Sequence, residues 1–157
     1  STFNDSEGVL MAEISALAND STNRIISISD GSGSNRVLVK FDNSSNLIQG
    51  ACTATTDQAE LSFNTDIILN SKIAFKYKIN NFSLWVNGFK VDTDLVGVTP
   101  SSLDRLNFDN GSGGSDFYGN VKQLQYFDSA LNDSDLEKIT SWTSFTDLAN
   151  GQTYSIK

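Results

Sequence analysis

The sequence predicts an all-β domain, a sandwich or barrel of short antiparallel strands with one short helix near the C-terminus. Three observations carry this. Short segments rich in β-branched and aromatic residues recur along the chain, separated by clusters of Gly, Asn, Asp and Ser. Two of these segments face each other across a pair of asparagines, which tolerate the left-handed angles of a tight turn. A single stretch, beginning at Asn132, carries both a cap and the apolar spacing of a helix.

In order, the predicted strands are Val9–Leu17, Arg24–Ser29, Arg36–Phe41, Ala59–Phe63, Lys72–Ile79, Phe82–Val91 and Leu103–Phe108. A further strand carrying Val121, Leu124 and Tyr126 runs straight into the helix. The hairpin prediction is specific. A two-residue turn at Asn80-Asn81 sets Ile79 opposite Phe82, Tyr77 opposite Leu84 and Phe75 opposite Val86 on the core face. The outer face then pairs Lys78 with Ser83 and Lys76 with Trp85, leaving an exposed indole with a lysine across from it. For the helix, Asn132 as N-cap puts Leu131 and Leu136 at the spacing of a hydrophobic staple. Asp133 and Asp135 fall in the first turn, where the helix dipole favours them. Leu136, Ile139 and Trp142 form a narrow apolar stripe, expected to plug one end of the domain. The tail is polar until Thr153–Ile156, which reads as a final edge strand or an appended tail.

Composition sets the outer bounds. At 157 residues the chain fits one domain, 1–157, with room for a real core. It reads as a piece of a larger protein or a mature product, since it begins at Ser1 and its only methionine is Met11. Eleven Lys and Arg against nineteen Asp and Glu give a net charge of −8, which repels phosphate backbones and argues against nucleic acid as a partner. No stretch approaches the length of a membrane-spanning helix, so no membrane insertion is expected. Cys52 is the only cysteine, excluding an intrachain disulfide, and reads as a small buried hydrophobe.

The strand-to-helix segment Gly119, Val121, Leu124, Tyr126, Phe127, Ala130, Leu131, Asp133, Leu136 resembles the last core strand and closing helix of laminin-G-like, concanavalin A-like jelly rolls. Residues 72–91, with the segment Phe82–Gly88, look like a hairpin of that family, and Glu7–Ile14 is similar to its first core strand. The resemblance implies a two-sheet antiparallel jelly-roll sandwich. The wording of the whole chain, including Ser141–Asp147, looks most like receptor-binding or carbohydrate-binding modules of phage tail fibres and similar surface proteins. It implies a glycan or cell-surface receptor as partner, an extracellular or virion-surface location, and assembly as a homotrimer within a fibre.

Chemistry narrows the function further. Without histidine there is no Ser-His or Cys-His nucleophile, and Cys52 has no base. Glycoside hydrolysis needs two placed carboxylates. Glu7, Glu13, Glu60 and Glu137 do not form the Glu-x-Asp-x-x-Glu strand motif that glycanases of this fold carry. The reading is therefore a non-catalytic binding module, with a structural domain that builds a fibre, or a small glycanase or lyase, as alternatives. A zinc site is excluded by the same composition. Asp109 and Asp116 flank a glycine-rich loop and are the best candidates for a structural calcium, although such residues are also ordinary turn chemistry. Two ligand patches stand out. One is Trp85 with Lys76, Lys78 and Asn87 on the hairpin. The other is the loop end with Asn107, Asn110 and Tyr118. Both combine an aromatic ring with amide or charged hydrogen-bonding groups.

Overall fold

The computed structural model describes residues 2–142. It contains two five-stranded antiparallel sheets and one helix. The first sheet holds β1 (Glu7–Ala16), β6 (Ser71–Lys78), β7 (Phe82–Val86), β8 (Phe89–Asp94) and β10 (Gly119–Phe127), in the order β10-β1-β6-β7-β8. The second holds β2 (Arg24–Ser29), β3 (Asn35–Phe41), β4 (Leu47–Ala54), β5 (Thr56–Asn64) and β9 (Arg105–Asn107), in the order β5-β4-β3-β2-β9. The chain thus crosses between sheets after β1, β5, β8 and β9, which is a jelly-roll sandwich rather than a barrel.

Alternation along each strand decides what lies between the sheets. Leu10, Ala12 and Ile14 from β1 and Ile73, Phe75 and Tyr77 from β6 meet Ile26 and Ile28 from β2 and Val37, Val39 and Phe41 from β3, all buried. Phe75 and Phe82 stack with centroids 6.5 Å apart. The Tyr77 hydroxyl donates to the Asn4 carbonyl at 2.6 Å and lies 3.1 Å from the Tyr126 hydroxyl. Cys52 is buried as predicted, and burial pushes its thiol up to about 12, so it is inert at neutral pH.

Three elements differ from the sequence reading. Strand β4 was not predicted, because Gln49 and Gly50 interrupt its apolar pattern. Gly50 is there because the Phe75 ring lies on it: a Cβ at Gly50 would sit 2.4 Å from Phe75 Cδ2. The predicted strand Phe82–Val91 is two strands. Asn87 and Gly88, at φ 51° and 88°, form the tight turn between β7 and β8, with Val86 opposite Phe89. The β6–β7 turn has two residues as predicted but lies one position earlier, at Ile79-Asn80 between Lys78 and Asn81. Ile79 leaves the sheet and is exposed, Asn80 takes the left-handed angle, and Asn81 N–H bonds to Lys78 O at 2.9 Å.

The helix α1 (Asp133–Thr140) starts as predicted: Asn132 Oδ1 accepts from Asp135 N–H at 2.9 Å, and Leu136 is fully buried with Leu131 packed nearby. It does not plug an end. It lies on the outer face of the first sheet, over β6, β7 and β8. Trp142 follows the helix rather than sitting on it, and Thr153–Ile156 lies outside the described residues.

Candidate functional site

Moving the turn one position earlier shifts the β6–β7 register by two. Ala74, not Lys76, faces Trp85, and Lys76 faces Ser83. A shift of two keeps every side chain on its predicted face, so the core assignment survives while the expected Trp85–Lys76 pair does not. The outer face itself is covered. Trp85 is 5% exposed, packed with Val9, Met11, Ala74 and Leu136 beneath α1, and its Nε1 donates to Ser83 Oγ at 3.2 Å. Its cation is Lys90, 5.6 Å from the ring centroid and itself paired with Asp133 on the helix. Lys76 is buried, and desolvation lowers its pKa against the pull of Asp133. Lys78 is paired with Glu7 at 3.5 Å. Asn87 sits in the β7–β8 turn, where its Oδ1 accepts from Lys72 N–H at 3.0 Å and from Trp142 Nε1 at 3.2 Å. The exposed indole platform expected from the sequence is therefore a packing core for the helix.

In the glycine-rich loop, most polar side chains hold the loop itself. Asp109 Oδ1 accepts from Gly111 N–H at 2.6 Å and from Asn107 Nδ2 at 3.4 Å. Asn110 Oδ1 accepts from Ser112 and Gly114 N–H. Asp116 is exposed and accepts from the Tyr118 hydroxyl at 3.3 Å, with Tyr118 itself 62% exposed. Among the described residues, no three acidic, His or Cys side chains come together to hold a metal ion. The loop is fastened over the second sheet by its carbonyls: Ser27 Oγ donates to Asp109 O at 2.8 Å, and Arg36 donates to Asn110 O at 2.6 Å.

The outer face of the second sheet, where the loop is anchored, is covered by no helix among the described residues. Because Ile26, Ile28, Val37, Val39, Ile48 and Cys52 face the core, their neighbours face out. The register lines these up in three rows. Asn107, Ser27, Leu38, Ala51 and Glu60 make the middle row. Arg105, Ser29, Arg36, Thr53 and Asp57 lie on one side, and Ile25, Lys40, Gln49 and Ser62 on the other. Leu38 and Ser27 are almost fully buried even though they face outward, so the longer side chains and the loop rise around them.

Two polar groups on this face lack partners. Arg36 Nε is buried with no hydrogen bond, and no carboxylate pairs with Arg36 among the described residues. Gln49 donates to Glu60 Oε1 at 3.0 Å while its own Oε1 is buried and unpaired. Lys40, by contrast, is held by Asp42 at 2.9 Å. Buried polar atoms without partners are uncommon and costly, by about 1–3 kcal/mol each. An arginine fork and an amide oxygen across the Leu38–Ala51 row make a half-built hydrogen-bonding site. Of the loop residues singled out from sequence, Asn107 lies in its middle row and the Asn110 carbonyl orients its arginine. Arg36, Lys40 and Gln49 were missed. The alternation Arg36-x-Leu38-x-Lys40 was visible on a predicted strand, but without β4 there was nothing to pair it with.

No family profile matches the sequence, and no curated protein matches it. Solved structures do match in three dimensions. The carbohydrate-binding domain CBM40 of Ruminococcus gnavus IT-sialidase superposes with a TM-score of 0.70 at 14% identity, over 88% of this chain and 84% of that one. The leech intramolecular trans-sialidase gives a TM-score of 0.70 at 14% identity, over 90% of this chain but 24% of that enzyme. The binding domain of botulinum neurotoxin DC, solved in complex with rat synaptotagmin II, gives 0.55 at 16% identity, over 86% of this chain and 35% of that one. At these identities the likeness speaks for architecture: the chain has the all-β jelly-roll sandwich, two antiparallel sheets and one short helix, that the sequence resemblance implied.

Proposed function

We propose that the domain is a non-catalytic glycan-binding module that takes an acidic sugar on the outer face of the second sheet. The observation that carries this is the unpaired pair of buried groups, Arg36 Nε and Gln49 Oε1, on either side of the Leu38–Ala51 row. Arg36 and Lys40 are four residues apart on β3, so their rows lie about 13 Å apart, room for one or two sugar rings. A sugar carboxylate on the Arg36 fork gains charge-assisted hydrogen bonds in the geometry a guanidinium is shaped for. The Gln49 amide oxygen accepts from a hydroxyl or N-acyl group, and the ring lies over the half-buried Ala51. The R. gnavus CBM40 has been solved with α2,3- and α2,6-sialyllactose, both acidic glycans, which supports an acidic sugar here. The net charge of −8 opposes an anionic ligand at long range, so binding depends on the local arginine.

The test is calorimetric titration with 3′-sialyllactose and, as the neutral control, lactose. Sialyllactose binds and lactose does not. Arg36→Gln removes a charged hydrogen bond worth about 1.5–3 kcal/mol, a loss of about ten- to a hundredfold. Equal binding of both sugars, or undiminished binding by Arg36→Gln, overturns the acidic-sugar reading. The resemblance to phage tail-fibre modules supports display on an extracellular or virion surface and assembly within a trimer. Light scattering of the isolated domain measures the trimer directly.

A further inference from the structure

A second concavity lies beside the β7–β8 hairpin and shares no lining residue with the sheet-face site. It is a groove of about 410 Å³ between the end of β5 and the β7–β8 hairpin, lined by Phe63, Thr65, Asn87, Phe89, Val91 and Trp142. That volume falls within the roughly 300–1,000 Å³ of small-molecule sites. We infer that this groove binds a neutral pyranose, with aromatic rings as its platform and the Asn87 amide as its hydrogen-bonding handle.

The amide is fixed in advance. Two N–H groups, from Lys72 and Trp142, both point at Asn87 Oδ1, so the oxygen is assigned and occupied. Its Nδ2 is left with two donors and no partner among the described residues. The backbone beneath it is equally constrained, with Asn87 and Gly88 at the positive φ values of a tight turn. Trp142 is locked too. The Lys72 ammonium sits 4.6 Å from its ring centroid and donates to Ser141 O at 3.1 Å. Phe89 and Phe63 supply open ring surface, 72% and 37% exposed.

The chemistry of the lining selects the ligand. Among the described residues no ionised side chain lines the groove, so a charged ligand finds no counter-ion there and a neutral one loses nothing. Exposed rings beside a pre-oriented amide donor match the two faces of a sugar ring: apolar C–H groups on the rings, hydroxyls on the amide. A protein partner needs about 800 Å² of surface on each side. A groove of this size accommodates one or two rings.

The experiment uses the full chain, labelled with nitrogen-15. Its two tryptophans give two indole N–H signals, one from buried Trp85 and one from Trp142. Maltotriose, cellotriose and tri-N-acetylchitotriose are titrated in turn. With at least one of them, the Trp142 indole and the Asn87 side-chain amide signals shift together and saturate, while the Trp85 signal stays. Phe89→Ala, at a position too exposed to threaten folding, weakens the effect about tenfold or more. Arg36→Gln leaves it unchanged, which separates this site from the sheet-face reading. No saturable shift with any of the three sugars overturns the inference. So does a Trp142 shift that follows protein concentration, or removal of residues 143–157, rather than sugar, because the groove's occupant is then a second copy or the chain's own end.

Discussion

At the scale of single residues, the sharpest constraint is Gly50. Its Cα lies against the Phe75 ring, and an added methyl has no space without moving an aromatic side chain in the middle of the core. Gly50→Ala should cost about 1–3 kcal/mol in urea unfolding, with part of the loss recovered when Phe75 is also changed to Leu. Asn132 is the opposite case. Its bond to Asp135 N–H was readable from sequence because a cap is a local affair of four residues, and Asn132→Ala should cost about 1 kcal/mol by the same measurement. The contrast explains what was legible. Asn132 announces its role through its neighbours in the chain. Gly50 owes its role to Phe75, 25 positions away, and reads in isolation as a strand breaker. Arg36 was legible as a residue on a strand and illegible as a site, because its exposed face is defined by Asn110 and Gln49 from other elements.

At the scale of elements, the helix and the hairpin decide what the first sheet can do. Helix α1 buries Leu136 against Trp85, Met11 and Ala74, so the indole belongs to the helix interface. Trp85→Ala should destabilise the fold by about 3–5 kcal/mol and reduce the near-ultraviolet circular dichroism, with no direct effect on glycan binding. A structural domain that used Trp85 between subunits predicts instead a change of oligomer with the fold intact. The β6–β7 turn lies one position before the predicted Asn80-Asn81 pair, with only Asn80 in the left-handed region, and the Asn-Gly pair at 87–88, a strong two-residue turn signal, forms the separate β7–β8 turn that divides the predicted Phe82–Val91 strand. The glycine-rich loop spends Asp109 and Asn110 on its own backbone. Stripping divalent ions with a chelator is therefore expected to leave the melting temperature unchanged, whereas a fall would reveal a bound ion.

At the scale of the whole molecule, several carboxylates knit distant segments together. Glu7 accepts from Ala130 N–H at 2.8 Å and pairs with Lys78, joining β1 to the segment before α1 and to β6. That backbone hydrogen bond, with help from Lys78, holds its pKa below the usual 4.5. Asp30 is likewise lowered from 3.8, chiefly by its bond to Ser32. Lowered folded-state values mean that the stability these groups contribute is present above the unfolded values and lost as pH falls through the folded ones. The melting temperature should hold from neutral pH down to about 5 and drop below about 4. Glu7→Gln should shrink the acid-induced drop while lowering stability at neutral pH.

Across these scales, the sequence by itself determined most of the strand segments, the core face of the β6–β7 hairpin, the capped helix, and the absence of histidine and paired cysteine chemistry. All of these follow from patterns that repeat over two to four residues, or from composition, and neither needs a partner. Only the tertiary structure decided which surfaces stay open. Where α1 comes to rest, which strands neighbour each other and where the 109–116 loop folds are set by packing between residues far apart in the chain. That packing covers Trp85, uncovers Arg36 with Gln49, and opens the groove beside Trp142.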